Sequence, residues 1–237
     1  MLIGLAAAAI ALPAWAQTPQ WRAWCNSASA TDDQTIAGCT ALIRSGRESR
    51  ADLAADHYNR GIGYGDKGLN EEAIADYSQA IALRPGYAEA YDNRGTAWRE
   101  KGLYDLAIAD HGRAIALRPG YAVAYNNRAS AEGAKGLYDQ AIADYGRAIA
   151  LKPDLATAYK NRAWAYHLKH ADAEGLADAQ RAVALSPGDA NCLRTRAEIF
   201  AKLGRRNQAI ADYRAALKID PRQRASRDGL TRLGAAP

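Results

Sequence analysis

Two helical patterns alternate along the chain between residues 54 and 223, and small residues mark both. In the second pattern of each pair, small side chains stand at i and i+7 around a residue at i+4. The sets are Ala73, Tyr77 and Ala80; Ala107, His111 and Ala114; Ala141, Tyr145 and Ala148; Gly175, Ala179 and Ala182; and Ala209, Tyr213 and Ala216. That spacing puts them on one helical face. Small residues there let two helices approach closely, and the intervening side chain, aromatic in most copies, fills the space that is left. The first pattern has its own small position at Gly61, Gly95, Ala129, Ala163 and Ala197. Gly68, Gly102, Gly136 and Gly204 fall between the two patterns, where a left-handed C-cap suits glycine. Pro85, Pro119, Pro153, Pro187 and Pro221 end the second pattern, because proline lacks a backbone donor and clashes with the preceding turn. Each pair therefore reads as helix-turn-helix.

The pairs are copies of one another. Ala88-Glu-Ala-Tyr-Asp-Asn-Arg-Gly95 returns as Ala122-Val-Ala-Tyr-Asn-Asn-Arg-Ala129 and Ala156-Thr-Ala-Tyr-Lys-Asn-Arg-Ala163, and more loosely from Ala190, at an offset of 34 residues. Self-similarity at this period, with several positions in register, resembles the tetratricopeptide repeat family. The resemblance covers residues 54–223 as five units, 54–87, 88–121, 122–155, 156–189 and 190–223. It implies an all-α fold, a right-handed α-α superhelix in which stacked hairpins bury a continuous core, and it is similar to secreted bacterial repeat proteins. The ends need caps. Residues 224–237 are expected to supply a C-terminal helix and tail, with Leu230 and Leu233 covering the last unit. Within the N-terminal segment 17–53, a single helix over Asp32–Ile43 is expected to pack on the first unit.

Composition changes the picture mainly at the N-terminus. Residues 1–16 (MLIGLAAAAIALPAWA) carry no charged side chain and are too short to span a bilayer. They end in Ala14-Trp15-Ala16, the A-x-A form of a secretory cleavage site, although no Lys or Arg precedes the apolar run. A signal peptide cleaved after Ala16 is therefore expected, and with it a periplasmic or secreted protein. No other segment reads as a membrane span. In an oxidising compartment Cys25 and Cys39 would pair, which in the chain-entropy model stabilises the fold by roughly 3 kcal/mol; two reduced, buried thiols are the alternative. Cys192 shares its unit position with Ala90, Ala124 and Ala158 and reads as a buried thiol. The net charge of +5 suits solubility or acidic partners without identifying nucleic acid.

Candidate chemistry is sparse. Gly63-Tyr-Gly65-Asp-Lys-Gly68 matches a dinucleotide fingerprint, but it lies at the end of a helix with no strand before it. His167, His170 and Asp172 have metal-like spacing without a further ligand. His57 and His111 stand where sibling units carry bulky residues and read as packing. No nucleophile sits with a histidine, and no carboxylate pair departs from the repeat pattern. No catalytic residue, cofactor or metal is expected. The strictest recurrence is Arg60, Arg94, Arg128, Arg162 and Arg196 with Asp76, Asp110, Asp144, Asp178 and Asp212, read as a ladder of ion pairs that fixes helix register.

The resemblance further implies that the first helices line a concave groove, with unit positions two, five, nine and twelve pointing into it. Tyr58, Asp92, Asn126, Lys160 and Arg194 hold position five, and Trp164 holds position nine in the fourth unit. Trp164 is either an anchor for a partner or a packing residue against the next unit. Asn59, Asn93, Asn127 and Asn161 form a second ladder, which either binds a ligand or joins the network between helices. In chaperone-binding relatives an Asn at this position helps hold a C-terminal carboxylate, but of the accompanying basic residues only Lys160 matches, so that function is not carried over. The fourth unit departs most from its siblings: His170 replaces the turn glycine and Asp172 an aromatic residue.

These readings point to a non-catalytic scaffold that holds a protein or peptide in the groove. Recognition of RNA along the repeats is the alternative of a different class; the export signal and the acidic pair Glu89 and Asp92 argue against it. A self-assembling subunit is a third reading.

Overall fold

A computed structural model describes residues 14–236. The expected signal peptide, residues 1–16, lies outside the described residues except for Ala14–Ala16, which begin the first helix. All regular structure among the described residues is helical: α1 (Ala14–Asn26), α2 (Asp32–Ser45), α3 (Arg50–Asp66), α4 (Asn70–Leu83), α5 (Ala88–Glu100), α6 (Tyr104–Leu117), α7 (Ala122–Ala134), α8 (Tyr138–Leu151), α9 (Ala156–Leu168), α10 (Asp172–Leu185), α11 (Ala190–Lys202), α12 (Arg206–Ile219) and α13 (Arg224–Arg232). None of these helices is long and apolar enough to cross a membrane. The chain divides into two compact units, Met1–Ala97 and Trp98–Pro237.

The first unit corrects the reading of the N-terminus. Two helices precede the repeats instead of one, because α1 forms despite carrying Pro19 inside it. Proline argues against a helix locally, but tertiary contacts hold this one. Gly38 of α2 brings the two backbones together: a Cβ there would lie 2.5 Å from the Trp21 carbonyl oxygen. A disulfide joins Cys25 to Cys39 with Cα atoms 4.8 Å apart, and both cysteines pack with Leu42 and Trp21. Helix α2 itself is locally encoded. Thr31 and Gln34 form a capping box, Asp32 and Asp33 occupy its first turn, and Gly46 closes it at φ 63°. Helices α3 and α4 then pair, with Gly61 against the Tyr77 ring, where a Cβ would meet ring carbon at 2.7 Å. The glycines of the apparent dinucleotide fingerprint serve this packing. Gly63 faces Ile36 of α2, and Gly68 makes the left-handed turn at φ 73°.

In the second unit α6 packs on α7, and the hairpins α7–α8, α9–α10 and α11–α12 follow, each second helix contacting the next first helix. The first helices α7, α9 and α11 also touch in succession. Helix α13 closes the stack on α12: Leu230 is fully buried, and Gly229 lies so near the Tyr213 ring that a Cβ would overlap it.

The Arg–Asp recurrence is a set of two-pronged ion pairs between the helices of a hairpin. Arg60 donates to Asp76 at 2.7 and 2.8 Å, Arg128 to Asp144 at 2.5 and 3.1 Å, Arg162 to Asp178 at 2.6 and 2.8 Å, and Arg196 to Asp212 at 2.7 and 2.8 Å. The second repeat's Arg94 and Asp110 belong to different units. Each of these four aspartates is buried, and a buried carboxylate is tolerable only when paired and hydrogen-bonded. Burial alone would push Asp76 up, but hydrogen bonds from Arg60 and His57 outweigh it and hold the carboxyl below its ordinary value. His57, read as a packing residue, thus joins the ladder, 2.8 Å from Asp76.

Candidate functional site

Helices α7 and α9 carry identical offsets of exposed positions, so side chains one repeat apart stand side by side. Between them lies an open cavity of about 500 Å³. Asn126, Asn127, Lys160, Asn161 and Trp164, all expected in the groove, line it together with Arg99, Ser130, Gly133 and Thr157. The groove positions expected from the sequence did not include Ala134, Tyr138, Tyr145, Ala165 and Leu168, which complete the lining. These come from the ends of first helices and from a second helix, positions that the four-position rule omits.

The polar lining is partly committed to the fold. Asn161 reaches the Tyr145 hydroxyl, which also lies 3.1 Å from the Ser130 hydroxyl. Burial pushes the Tyr145 phenol up to about 12, so it stays neutral. The Asn126 amide donates to the Asn127 side-chain oxygen at 3.3 Å, while the Asn126 Oδ1 acceptor is buried without a partner. Lys160 makes no hydrogen bond or ion pair among the described residues, and no carboxylate lines the cavity. Arg99 lines it too, with its guanidinium 2.6 Å from Glu100. Trp164 is fixed from two sides: Arg194 of α11 stacks 5.0 Å from its ring and His167 lies 4.8 Å away. Trp164 therefore both packs against the next repeat and faces the cavity.

The remaining expected residues lie elsewhere. In the first unit Tyr58 stacks on Tyr87 and Tyr77 at 4.7 and 5.9 Å and accepts a hydrogen bond from Asn93. Asn59 donates to Asn26 at 3.0 Å and borders a smaller cavity of about 340 Å³ beside Cys25 and Ile62. Asp92 is only 2% exposed. Its carboxyl is covered by its neighbours, whereas Asn126, of the same length at the same unit position, lines the cavity. The Asn residues thus mainly tie helices together, and Asn127 and Asn161 border the cavity as well.

Two buried carboxyls went unnoticed in the sequence. Glu132 stands where sibling repeats carry Tyr64, Trp98, Tyr166 and Phe200. It is buried, its Oε2 atom has no partner, and Arg128 is 3.9 Å away. Burial pushes its carboxyl up to about 7. Asp56 is buried beside the disulfide, 3.4 Å from the Cys25 sulfur. A bridged sulfur has no proton to donate, so burial dominates and raises Asp56 to about 6. The histidine spacing also resolves: His167 lies 2.5 Å from buried Asp172, and His170 is exposed in the turn. No group of three or more His, Cys, Asp or Glu side chains is arranged to hold a metal among the described residues.

A family model described as TPR repeat matches residues 63–98 and 130–169, and one described as tetratricopeptide repeat matches residues 190–223. No curated protein sequence matches the chain. Several solved structures are similar. One titled as a functional characterization of Pseudomonas aeruginosa pilF shares 17% identity at a TM-score of 0.71, over 79% of this chain and 85% of that one. A tetratricopeptide repeat protein from Parabacteroides merdae shares 19% at 0.68, over 95% and 86%. YrrB, described as a TPR protein with an unusual peptide-binding site, shares 18% at 0.60, over 81% and 97%. At such identities the likeness speaks for the fold alone.

Proposed function

The chain carries tetratricopeptide repeats in an all-α solenoid fold, and from that premise we propose that it is a non-catalytic scaffold binding a peptide or protein segment in the groove of α7 and α9. The carrying observation is the cavity itself, which lies between two adjacent first helices and joins an unpaired cation and a fixed indole to several side-chain amides. Convergent polar groups around an apolar hollow are what a ligand site requires. The description of YrrB as having a peptide-binding site supplies a precedent within the fold. The protein works in the periplasm or outside the cell after loss of residues 1–16. The Cys25–Cys39 disulfide supports this part of the reading, because such bridges persist in oxidising compartments.

A photo-crosslinking residue at Ser130, compared with one at exposed Gln140 on α8, tests the groove in the native host. Adducts are expected from position 130 and are expected to vanish with Trp164→Ala; adducts from position 140 alone would refute the site. Mass spectrometry of the native protein is expected to find Gln17 at its N-terminus, and an intact N-terminus would remove the export reading.

A further inference from the structure

We infer that this groove selects an extended segment in which an acidic side chain stands two residues from a large apolar one. The inference rests on the groove being a segment-binding site and adds the chemistry of the segment. Three observations carry it.

The first is a hollow made by a missing side chain. At the twelfth position of the first helices stand Gly65, Arg99, Gly133, His167 and Ala201, so in this cavity the position is empty between Arg99 and His167. A Cβ added at Gly133 would meet nothing nearer than the Ala141 Cβ at 3.9 Å, an ordinary contact. The space above Gly133 is open, and Ala134, Leu168 and Trp164 give the cavity its apolar surface. Arg194 and His167 hold the indole in place, so a ligand side chain meets a preformed wall and little rotamer freedom is lost on binding.

The second is charge. Lys160 is unpaired and no Asp or Glu lines the cavity, so a carboxylate entering it meets a cation without a competing anion. The side chains of Asn127 and Asn161 border the same space, and a peptide backbone offers such groups N–H donors, which a phosphodiester backbone does not.

Spacing is the third. Lys160 and Trp164 are one helical turn apart, about 6 Å along the axis at a rise of roughly 1.5 Å per residue. An extended chain returns to the same face every second residue, after about 6.6 Å. A carboxylate at Lys160 and an apolar side chain at Trp164 therefore fit residues i and i+2, while neighbours at i and i+1 would point to opposite faces.

A display library of random internal segments, selected on the full chain, reads this directly. Enriched segments are expected to share an acidic residue and a large apolar residue two positions apart. A synthetic peptide of that pattern, acetylated and amidated so that neither end is charged, is expected to bind in a fluorescence anisotropy titration. Affinity is expected to fall tenfold or more when its acid becomes the amide, when acid and apolar residue are made adjacent, or with Lys160→Glu or Gly133→Leu in the protein. Gly133→Leu fills open space and replaces a helix-interior glycine with a better helix former, so its melting temperature is expected to hold; Lys160→Glu gives an independent readout at a partly exposed position. Enrichment of basic or uncharged segments whose binding is lost with Trp164→Ala would overturn the selectivity and leave the groove as a binding site. Binding indifferent to Lys160→Glu, Gly133→Leu and Trp164→Ala alike would put the segment outside this groove and overturn both readings. No enrichment at all would overturn both.

Discussion

A side chain in the left-handed region is strained by about 1 kcal/mol relative to glycine, and among the described residues His170, at φ 60°, is the non-glycine residue held there. The other repeats use glycine at this turn, with φ between 72° and 83°. His170→Gly is therefore expected to raise the unfolding free energy by about 1 kcal/mol in chemical denaturation, without altering groove binding. Asp56 gives a prediction of opposite character. Its folded-state value of about 6 exceeds that of an unfolded aspartate, so the folded chain binds the proton more tightly. Its contribution is fully present below about pH 4 and is lost as pH rises through 6. Asp56→Asn is expected to recover on the order of 2 kcal/mol at pH 7 and nothing at pH 4. A gain of equal size at both pH values would show that the carboxyl is not the cause.

Between helices the Arg–Asp ladder sets register, and its rungs differ in how much support they have. Asp178 receives Arg162 as its ion-pair partner, so Arg162→Ala leaves a buried carboxylate uncompensated. The expected loss is about 3 kcal/mol. Asp144 also accepts from Arg147 at 2.8 Å, so Arg128→Ala is expected to cost less than Arg162→Ala when thermal unfolding of the two variants is compared. The second part of that comparison is Glu132. Arg128 is its nearest cation, and without it the Glu132 carboxyl should stay protonated to higher pH, which a carboxyl-specific infrared titration would detect. Equal losses from the two substitutions would mean that Arg147 does not support its rung.

For the whole molecule, a repeat stack is held by neighbour contacts, and its ends must be covered. Helix α13 does this at the C-terminus with few residues: Leu230 and Leu233 pack on a cluster that includes fully buried Tyr213. Arg206 fastens the end of the helix through the Leu233 carbonyl, and Arg214 holds the Ala236 carbonyl. Removing residues 224–237 is expected to expose Tyr213, lower the melting temperature and promote self-association, measured by light scattering over a range of concentrations. An unchanged monomer would show that the last hairpin needs no cover.

Sequence by itself determined the helices of the repeats, their turns and the Arg–Asp pairing, because each follows from local rules repeated at a fixed period: small residues where helices touch, glycine where φ is positive, proline where a helix must end. It also placed Asn126, Asn127, Lys160, Asn161 and Trp164 on one surface, since equal offsets on neighbouring helices put them side by side. What it could not supply were features made by contacts distant in the chain. Helix α1 contradicts its own proline and is held by Gly38 and the disulfide. Asp92 obeys the groove register and is buried all the same, while Asn126 at the same register lines the cavity, because register fixes direction and the packed neighbours decide exposure. Glu132 and Asp56 look like ordinary carboxylates until the fold removes their water, and Gly133 becomes a hollow only when its neighbours' side chains are built around it. Local propensity and periodicity are properties of short stretches, whereas burial and empty space exist only once the helices are packed.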